Sequence, residues 1–260
     1  MIGVFDSGIG GLTVVRALLE RLPGHAITYL GDTARTPYGS KSADTIIRYS
    51  INNIEFLIRK GARLIVIACN TASSYAFEAV RNRFKIPIFE VIGPGAHLAV
   101  QYSRRLRIGV IGTRATVASG VYEGHVRRIN PGAKVFAVSC PLLVPLVEEG
   151  WISKPETAMI VRKYMHPLKT KQIDTLILGC THYPVLRGVI QRKIGARVVL
   201  VDSAQAIAER VGDFLKAPGS NPAPIPQGQL TIFVTDIAEQ FRKTAHLILG
   251  QPLPIHQADL

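Results

Sequence analysis

Cysteine is scarce in this 260-residue chain, with three residues at 69, 140 and 180. An odd, sparse set in a chain of this length argues against a disulfide framework and for a reducing compartment, so a cytoplasmic location is expected. No C-x-x-C pair and no zinc-finger spacing occurs. Aromatic residues are only 7%, with a single tryptophan, and no aromatic-rich RNA-binding signature accompanies the basic residues. No apolar run reaches the roughly 18 residues needed to span a bilayer, which excludes a helical membrane protein. The opening MIGVFDSG lacks a basic segment followed by an apolar stretch, so no secretory signal is expected. Acidic residues are also few: 18 Asp+Glu against 31 Lys+Arg give a net charge of +13. That excess favours nucleic acid, an anionic surface or a small acidic substrate as partner, or is simply a solvated basic surface. The basic clusters are short: Arg104-Arg105 with Arg107, Arg127-Arg128, and Lys169 to Lys171.

What the chain does have is a 47% hydrophobic composition arranged as short apolar runs between segments of helical period. The runs are Ile2 to Phe5, Ile27 to Leu30, Leu64 to Ala68, Ile86 to Val91, Ile108 to Ile111, Val135 to Val138, Leu176 to Leu178 and Val198 to Val201. Nearly continuous apolar runs of strand length predict parallel strands covered on both faces. Ile47, Ile51, Ile54, Leu57 and Ile58 form one helical stripe, stopped by Gly61. Ser153 is the expected cap of the helix carrying Ile160, Val161, Tyr164 and Leu168. Asp236 with Glu239 resembles a capping box before a last helix ending near Gly250. The repeated βαβα pattern gives an α/β fold with mainly parallel sheets.

An internal repeat organises these elements. IGVFDS at 2–7 matches IGVIGT at 108–113, and IVIACNTAS at 65–73 matches LILGCTHYP at 176–184. The separations agree, with 67 residues from Ile2 to Cys69 and 72 from Ile108 to Cys180. Two pseudo-symmetric α/β domains follow, residues 1–93 and 94–205, with 206–260 packing back onto the first and a cleft between them. A break is expected near Gly93-Pro94-Gly95, and a linker or surface loop from Ala217 to Gly228. The strand from Leu230 to Val234 and the helix after it are assigned to the first half.

Ligands in parallel α/β sheets sit beyond the carboxyl ends of the strands, and the polar motifs fall there. Asp6-Ser7, Asp32 and Cys69-Asn70-Thr71 follow strands of the first half; Gly112-Thr113 and Cys180-Thr181-His182 follow strands of the second. A twofold arrangement places Cys69 and Cys180 on opposite sides of the cleft. Racemisation needs that geometry, because removing a proton from a chiral carbon leaves a planar carbanion whose inversion requires a new proton on the other face. Both thiols stand at strand-to-helix turns, where helix termini favour thiolate. His182 is positioned to assist Cys180, and Asp6 to assist Cys69. Cys140, followed by Pro141 and an apolar run, reads as structural. Gly8-Ile9-Gly10-Gly11 lacks the full dinucleotide spacing; its backbone and Ser7 instead suit a substrate carboxylate. Thr36-Pro37-Tyr38-Gly39 is a turn.

FDSGIGGLTV, GDTARTPYG, ACNTAS, the EEG at 148–150 and GCTHYP together resemble the glutamate racemases of the aspartate/glutamate racemase superfamily, in their order and over nearly the whole chain. The resemblance implies reversible interconversion of L- and D-glutamate without pyridoxal phosphate, metal or other cofactor, with D-glutamate feeding peptidoglycan synthesis. By position it implies Cys69 as the base acting on the D-enantiomer and Cys180 on the L-enantiomer, with Asp6 and His182 as their auxiliary groups. Asp32 and Glu148 match further acidic positions. Ser7, Tyr38, Gly39, Asn70, Thr71, Thr181 and His182 match substrate-binding positions, as does Asp6 beside them; Thr113 and Thr116 match residues near the side-chain carboxylate. Glutamate is then the small-molecule partner and a homodimer the expected assembly. The +13 charge is not part of that pattern and leaves room for a DNA or gyrase contact. Three alternatives stay open: a racemase for aspartate or a related acid, a basic nucleic-acid or topoisomerase partner, and a thiol redox protein.

Overall fold

The computed structural model describes residues 1–217 and 230–260. The first half runs β1 (Ile2–Asp6), α1 (Leu12–Arg21), β2 (Ile27–Gly31), α2 (Ala43–Arg59), β3 (Leu64–Ile67), α3 (Asn70–Arg83) and β4 (Ile88–Glu90). Helix α4 (Ile92–Tyr102) leads into β5 (Arg107–Gly112), α5 (Arg114–Ala118), α6 (Val121–Ile129), β6 (Lys134–Ser139), α7 (Leu143–Glu148), α8 (Pro155–Thr170), β7 (Thr175–Gly179), α9 (Arg187–Ile194) and β8 (Val199–Asp202). The chain closes with α10 (Ser203–Lys216), β9 (Leu230–Val234), α11 (Glu239–Leu249) and β10 (Ile255–Gln257).

The strands form two sheets, one ordered β10-β9-β2-β1-β3-β4 and one ordered β6-β5-β7-β8. Every pairing is parallel. The period of two sends alternate side chains to opposite faces. In β3, Leu64 and Val66 join one core cluster while Ile65 and Ile67 join the other. In β7, Leu176 and Leu178 face one cluster and Ile177 the other. Each such side chain, fully buried, stabilises the fold by about 1.5–3 kcal/mol. Both faces of each sheet are therefore covered, as the apolar runs predict.

The strand order reverses on either side of β1 in the first sheet and of β5 in the second. Such switch points open a crevice at the carboxyl ends of the two flanking strands. Asp6 ends β1 and Cys69 lies just beyond β3; Thr113 and Cys180 follow β5 and β7. The repeat thus carries one switch point per half.

Several local expectations are corrected. Gly93-Pro94-Gly95 is no break, because α4 runs through it. Proline is tolerated in a helix's first turn, where its missing N–H has no partner to lose. The first N–H groups of α4, on Ile92 and Gly93, donate to the Glu90 carboxylate at 2.5 and 2.8 Å. Ser153 does not cap α8; Lys154 stands at the cap without a side-chain bond and Pro155 begins the helix. Asp236 and Glu239 form no capping box, since α11 starts at Glu239 after Ala238, although Gly250 does end it in the left-handed conformation. Strand β4 is shorter than the apolar run around it. In α2 the fully buried apolar stripe is Ile46, Ile54 and Leu57, with Ile47, Ile51 and Ile58 half-buried beside it. Ala217 ends α10; the rest of the expected linker lies outside the described residues. Strands β9 and β10 extend the first sheet beyond β2, and α10 packs between α1 and α4.

Candidate active site

The loop after β1 is pressed against the loop after β7. Asp6 is fully buried. Its carboxylate accepts from the Gly8 N–H at 3.1 Å and from the Thr181 hydroxyl at 3.3 Å. Thr13 of α1 donates to the Thr181 carbonyl at 3.1 Å. The glycines of this loop provide clearance: a Cβ on Gly10 would stand 2.5 Å from His182 Nδ1 and closer still to the Thr181 hydroxyl. Tyr29 props the loop from below, donating to the Gly8 carbonyl at 2.5 Å. Burial raises the Asp6 carboxyl, opposed by the His182 charge and by donation from Gly8, Gly11 and Thr181.

Both thiols lie in this seam, Cys69 at 5% and Cys180 at 7% exposure, so water has little access to either. Cys69 is the cap of α3, accepting the Ala72 N–H at 3.4 Å. It also donates to the Ser7 hydroxyl at 3.6 Å. Burial and the Asp6 charge push the Cys69 thiol up to about 12, with the Cys180 charge adding to them, and the Ala72 and Ser7 bonds only partly offset them. At Cys69 the helix terminus, which favours thiolate, is thus outweighed by burial and the Asp6 charge. Across the seam, Cys180 Sγ is 3.8 Å from His182 Nδ1. His182 Nε2 is 3.2 Å from the Glu148 carboxylate at the end of α7. Burial opposes charge on His182, but its bonds to Cys180 and Glu148 win and lift the imidazolium to about 10.

A second polar cluster crosses the seam beside the thiols. The hydroxyls of Thr71, Thr113 and Thr116 form a triangle with sides of 3.0, 3.3 and 3.0 Å. Gly39 lies flat on Thr113, where a Cβ would meet the threonine Cβ at 2.8 Å. Asn70 Oδ1 accepts from the Tyr122 hydroxyl of α6 at 2.6 Å, while the Asn70 amide nitrogen is buried without a partner.

A racemase family model, described as Asp/Glu/Hydantoin racemase, matches residues 2–211. The chain belongs to this family. Curated relatives include a glutamate racemase of Syntrophus aciditrophicus, 45% identical over 97% of this chain and 94% of that protein. Another, from Aquifex pyrophilus, is 47% identical over 99% and 97%. The crystal structure of a Bacillus anthracis glutamate racemase isoform superposes with a TM-score of 0.96 at 35% identity, covering 100% of this chain and 97% of that one. The Francisella tularensis glutamate racemase solved with D-glutamate gives 0.91 at 35% identity, covering 100% and 96%. An aspartate racemase homologue from Pyrococcus horikoshii, at 19% identity and a TM-score of 0.60 over 83% and 99%, shares the fold.

On this racemase scaffold the expected residues divide into three groups. Around the two thiols lie three bonded groups: Cys69 with Ser7, Asp6 with Thr181, and Cys180 with His182 and Glu148. Thr71, Thr113 and Thr116 form the hydroxyl cluster, with Gly39 against Thr113 and Asn70 next to Thr71 in the chain. Asp32 and Tyr38 stand apart in a buried brace. Asp32 holds the Arg35 guanidinium at 2.7 and 2.8 Å, accepts from Thr235 at 3.2 Å and takes the Tyr38 hydroxyl. Asn53 donates to that hydroxyl at 3.0 Å. Among the described residues, no hydrogen bond from Asp32 or Tyr38 reaches either thiol.

Sequence reasoning missed Tyr29, Arg35, Asn53, Tyr122 and Thr235. Thr235, at the end of β9, follows a strand as the other motifs do, and that was the available signal. No metal-binding group of three or more His, Cys, Asp or Glu residues occurs among the described residues. No described helix is long and apolar enough to cross a membrane.

Proposed function

We infer that this chain is a glutamate racemase that interconverts the L- and D-enantiomers by a two-base, two-cysteine mechanism without a cofactor. The observation that carries this reading is the pair of buried thiols on equivalent strand ends, with the Asp6 charge acting on Cys69 and His182 3.8 Å from Cys180; Asp6 and His182 serve as their auxiliary groups. One thiolate takes the Cα proton, and the bond's electron pair moves into the α-carboxylate. The opposite thiol then gives its proton to the other face. Reversal exchanges the two roles.

The elevated Cys69 thiol frames the difficulty of the first step. A thiolate in a buried site beside Asp6 needs a counter-charge, and the α-ammonium of an amino acid supplies one on binding. Opposite charges within a few ångströms favour the ionised form. On the other side, the imidazolium of His182, stabilised by Glu148, holds a proton ready for Cys180. The three threonine hydroxyls and the unpartnered Asn70 amide offer donors for substrate carboxylates. D-glutamate made this way feeds peptidoglycan synthesis.

Glutamate over aspartate rests on the relatives and on the full motif set. Circular dichroism on each pure enantiomer of both amino acids tests it. Decay of the glutamate signal from either side is expected; turnover of aspartate alone contradicts the assignment.

The position of the basic charge favours a second, non-catalytic contact with DNA or a DNA-bound partner such as gyrase. Residues 94–205 hold 16 Lys+Arg against 6 Asp+Glu, which is +10 of the chain's +13. In a parallel unit the helix C-termini gather where strands begin, away from the cleft. There Arg107 and Lys171 lie over Phe136 at 5.2 and 5.8 Å, Lys134 pairs with Arg107 in register, and Arg127 and Arg128 end α6. Retention on duplex DNA that falls steeply with salt supports this contact; negligible retention at low salt removes it.

A further inference from the structure

We propose that Tyr122 is a positioning residue for substrate binding, fixing the Asn70 carboxamide so that its NH2 group serves a substrate carboxylate. The inference rests on the racemase reading above and adds a residue to it.

Asn70 opens α3 beside Cys69, and Tyr122 lies on α6 of the other half. Their 2.6 Å bond therefore crosses the seam. The tyrosine ring stands against the strand that delivers Cys180: a Cβ on Gly179 would come within 3.0 Å of Tyr122 Cε2. Asn70 is thus held between the two thiol-bearing strand ends. Tyr122 is 3% and Asn70 2% exposed, so neither can turn to water for a partner.

The bond to Tyr122 fixes which way the amide faces. The Ser203 side chain also bonds to the Tyr122 hydroxyl. The phenolic proton of Tyr122 goes to Asn70 Oδ1 at 2.6 Å. With its oxygen committed, the amide's two donors are directed elsewhere, and the nitrogen has no partner. An unsatisfied buried donor is costly and rare in native proteins. A carboxylate is the acceptor that an acidic amino acid brings to this seam. Without the tyrosine hydroxyl nothing fixes the amide oxygen away from the carboxylate, and orienting the amide on binding costs about as much as one hydrogen bond.

Tyr122→Phe tests this by removing one oxygen and keeping the ring. KM should rise about tenfold for both enantiomers, with kcat within about threefold of wild type, since a hydrogen bond lost in ground and transition states alike changes binding only. In an Asn70→Ala background the same substitution should leave KM unchanged. A purely structural role predicts instead a lowered melting temperature with wild-type KM, or equal losses in both backgrounds; either result overturns the proposal. Should Tyr122→Phe fail to fold, Asn70→Asp carries the test. With Tyr122 holding one oxygen, the other faces the substrate carboxylate, and KM should exceed that of Asn70→Ala. An equal or lower KM overturns the assignment. A wild-type protein inactive on glutamate would remove the racemase reading itself, which separates that failure from this one.

Discussion

Replacing Gly10 by alanine strikes the seam between the two halves without removing any chemical group. The new Cβ would stand 2.5 Å from His182 Nδ1, 2.8 Å from His182 Cε1 and closer still to the Thr181 hydroxyl, against 3.4–4 Å for ordinary contact. The loop carrying Cys180, Thr181 and His182 must therefore retreat by roughly 1 Å, and misplacement of that size costs about 10²-fold in rate. The crowding itself destabilises the fold by about 1–3 kcal/mol. Gly124 of α6 is the control, because a Cβ there meets nothing within 4 Å. Alanine in a helix interior is favoured over glycine by roughly 0.5–1 kcal/mol, so Gly124→Ala should be slightly more stable and fully active. Racemisation followed by circular dichroism, alongside thermal melts, reads both effects. Gly10→Ala with wild-type kcat would refute the claim that this glycine sets the spacing of the catalytic loops.

Two other outcomes follow from the same geometry. Asp32→Ala leaves the Arg35 guanidinium and the Tyr38 hydroxyl without their shared acceptor, and urea unfolding should show a loss of about 3–5 kcal/mol; a loss below about 1 kcal/mol contradicts the brace. His182 is lifted from near 6.5 to about 10 in the folded chain, so its contribution to stability is complete below pH 6.5 and is lost as pH rises towards 10. The melting temperature should fall more between pH 7 and 10 in the wild type than in His182→Asn, and equal slopes would show that the imidazolium is not held by Cys180 and Glu148.

The legible parts of this protein were the local ones. Apolar runs announce parallel strands, and the match of ACNTAS with GCTHYP places two thiols at equivalent strand ends. Punctuation misled where a distant group changed its meaning. Gly93-Pro94-Gly95 looks like a break, but the Glu90 carboxylate caps the two free N–H groups ahead of Pro94 and turns the segment into a helix start. Strand β10, three residues long and partly polar, carries no alternation that a sequence pattern can register. Side-chain pairings across the seam were equally hidden: Tyr122 and Asn70 are 52 positions apart, and neither neighbourhood points to the other. The ionisation of Cys69 shows a different limit. Its place at a helix start argued for thiolate, yet burial and Asp6 outweigh that bond, and the extent of burial is a property of the assembled halves.

The central claim is that the two thiols serve opposite faces of one carbon. It is tested most directly by racemising pure D-glutamate in D2O and measuring deuterium at Cα in both pools at early conversion. Product L-glutamate should carry solvent deuterium while recovered D-glutamate remains protiated, because Cys69 returns the proton it removed and Cys180 delivers one from solvent. Recovered substrate labelled as fast as product, or product formed with its original hydrogen, would contradict the two-base account.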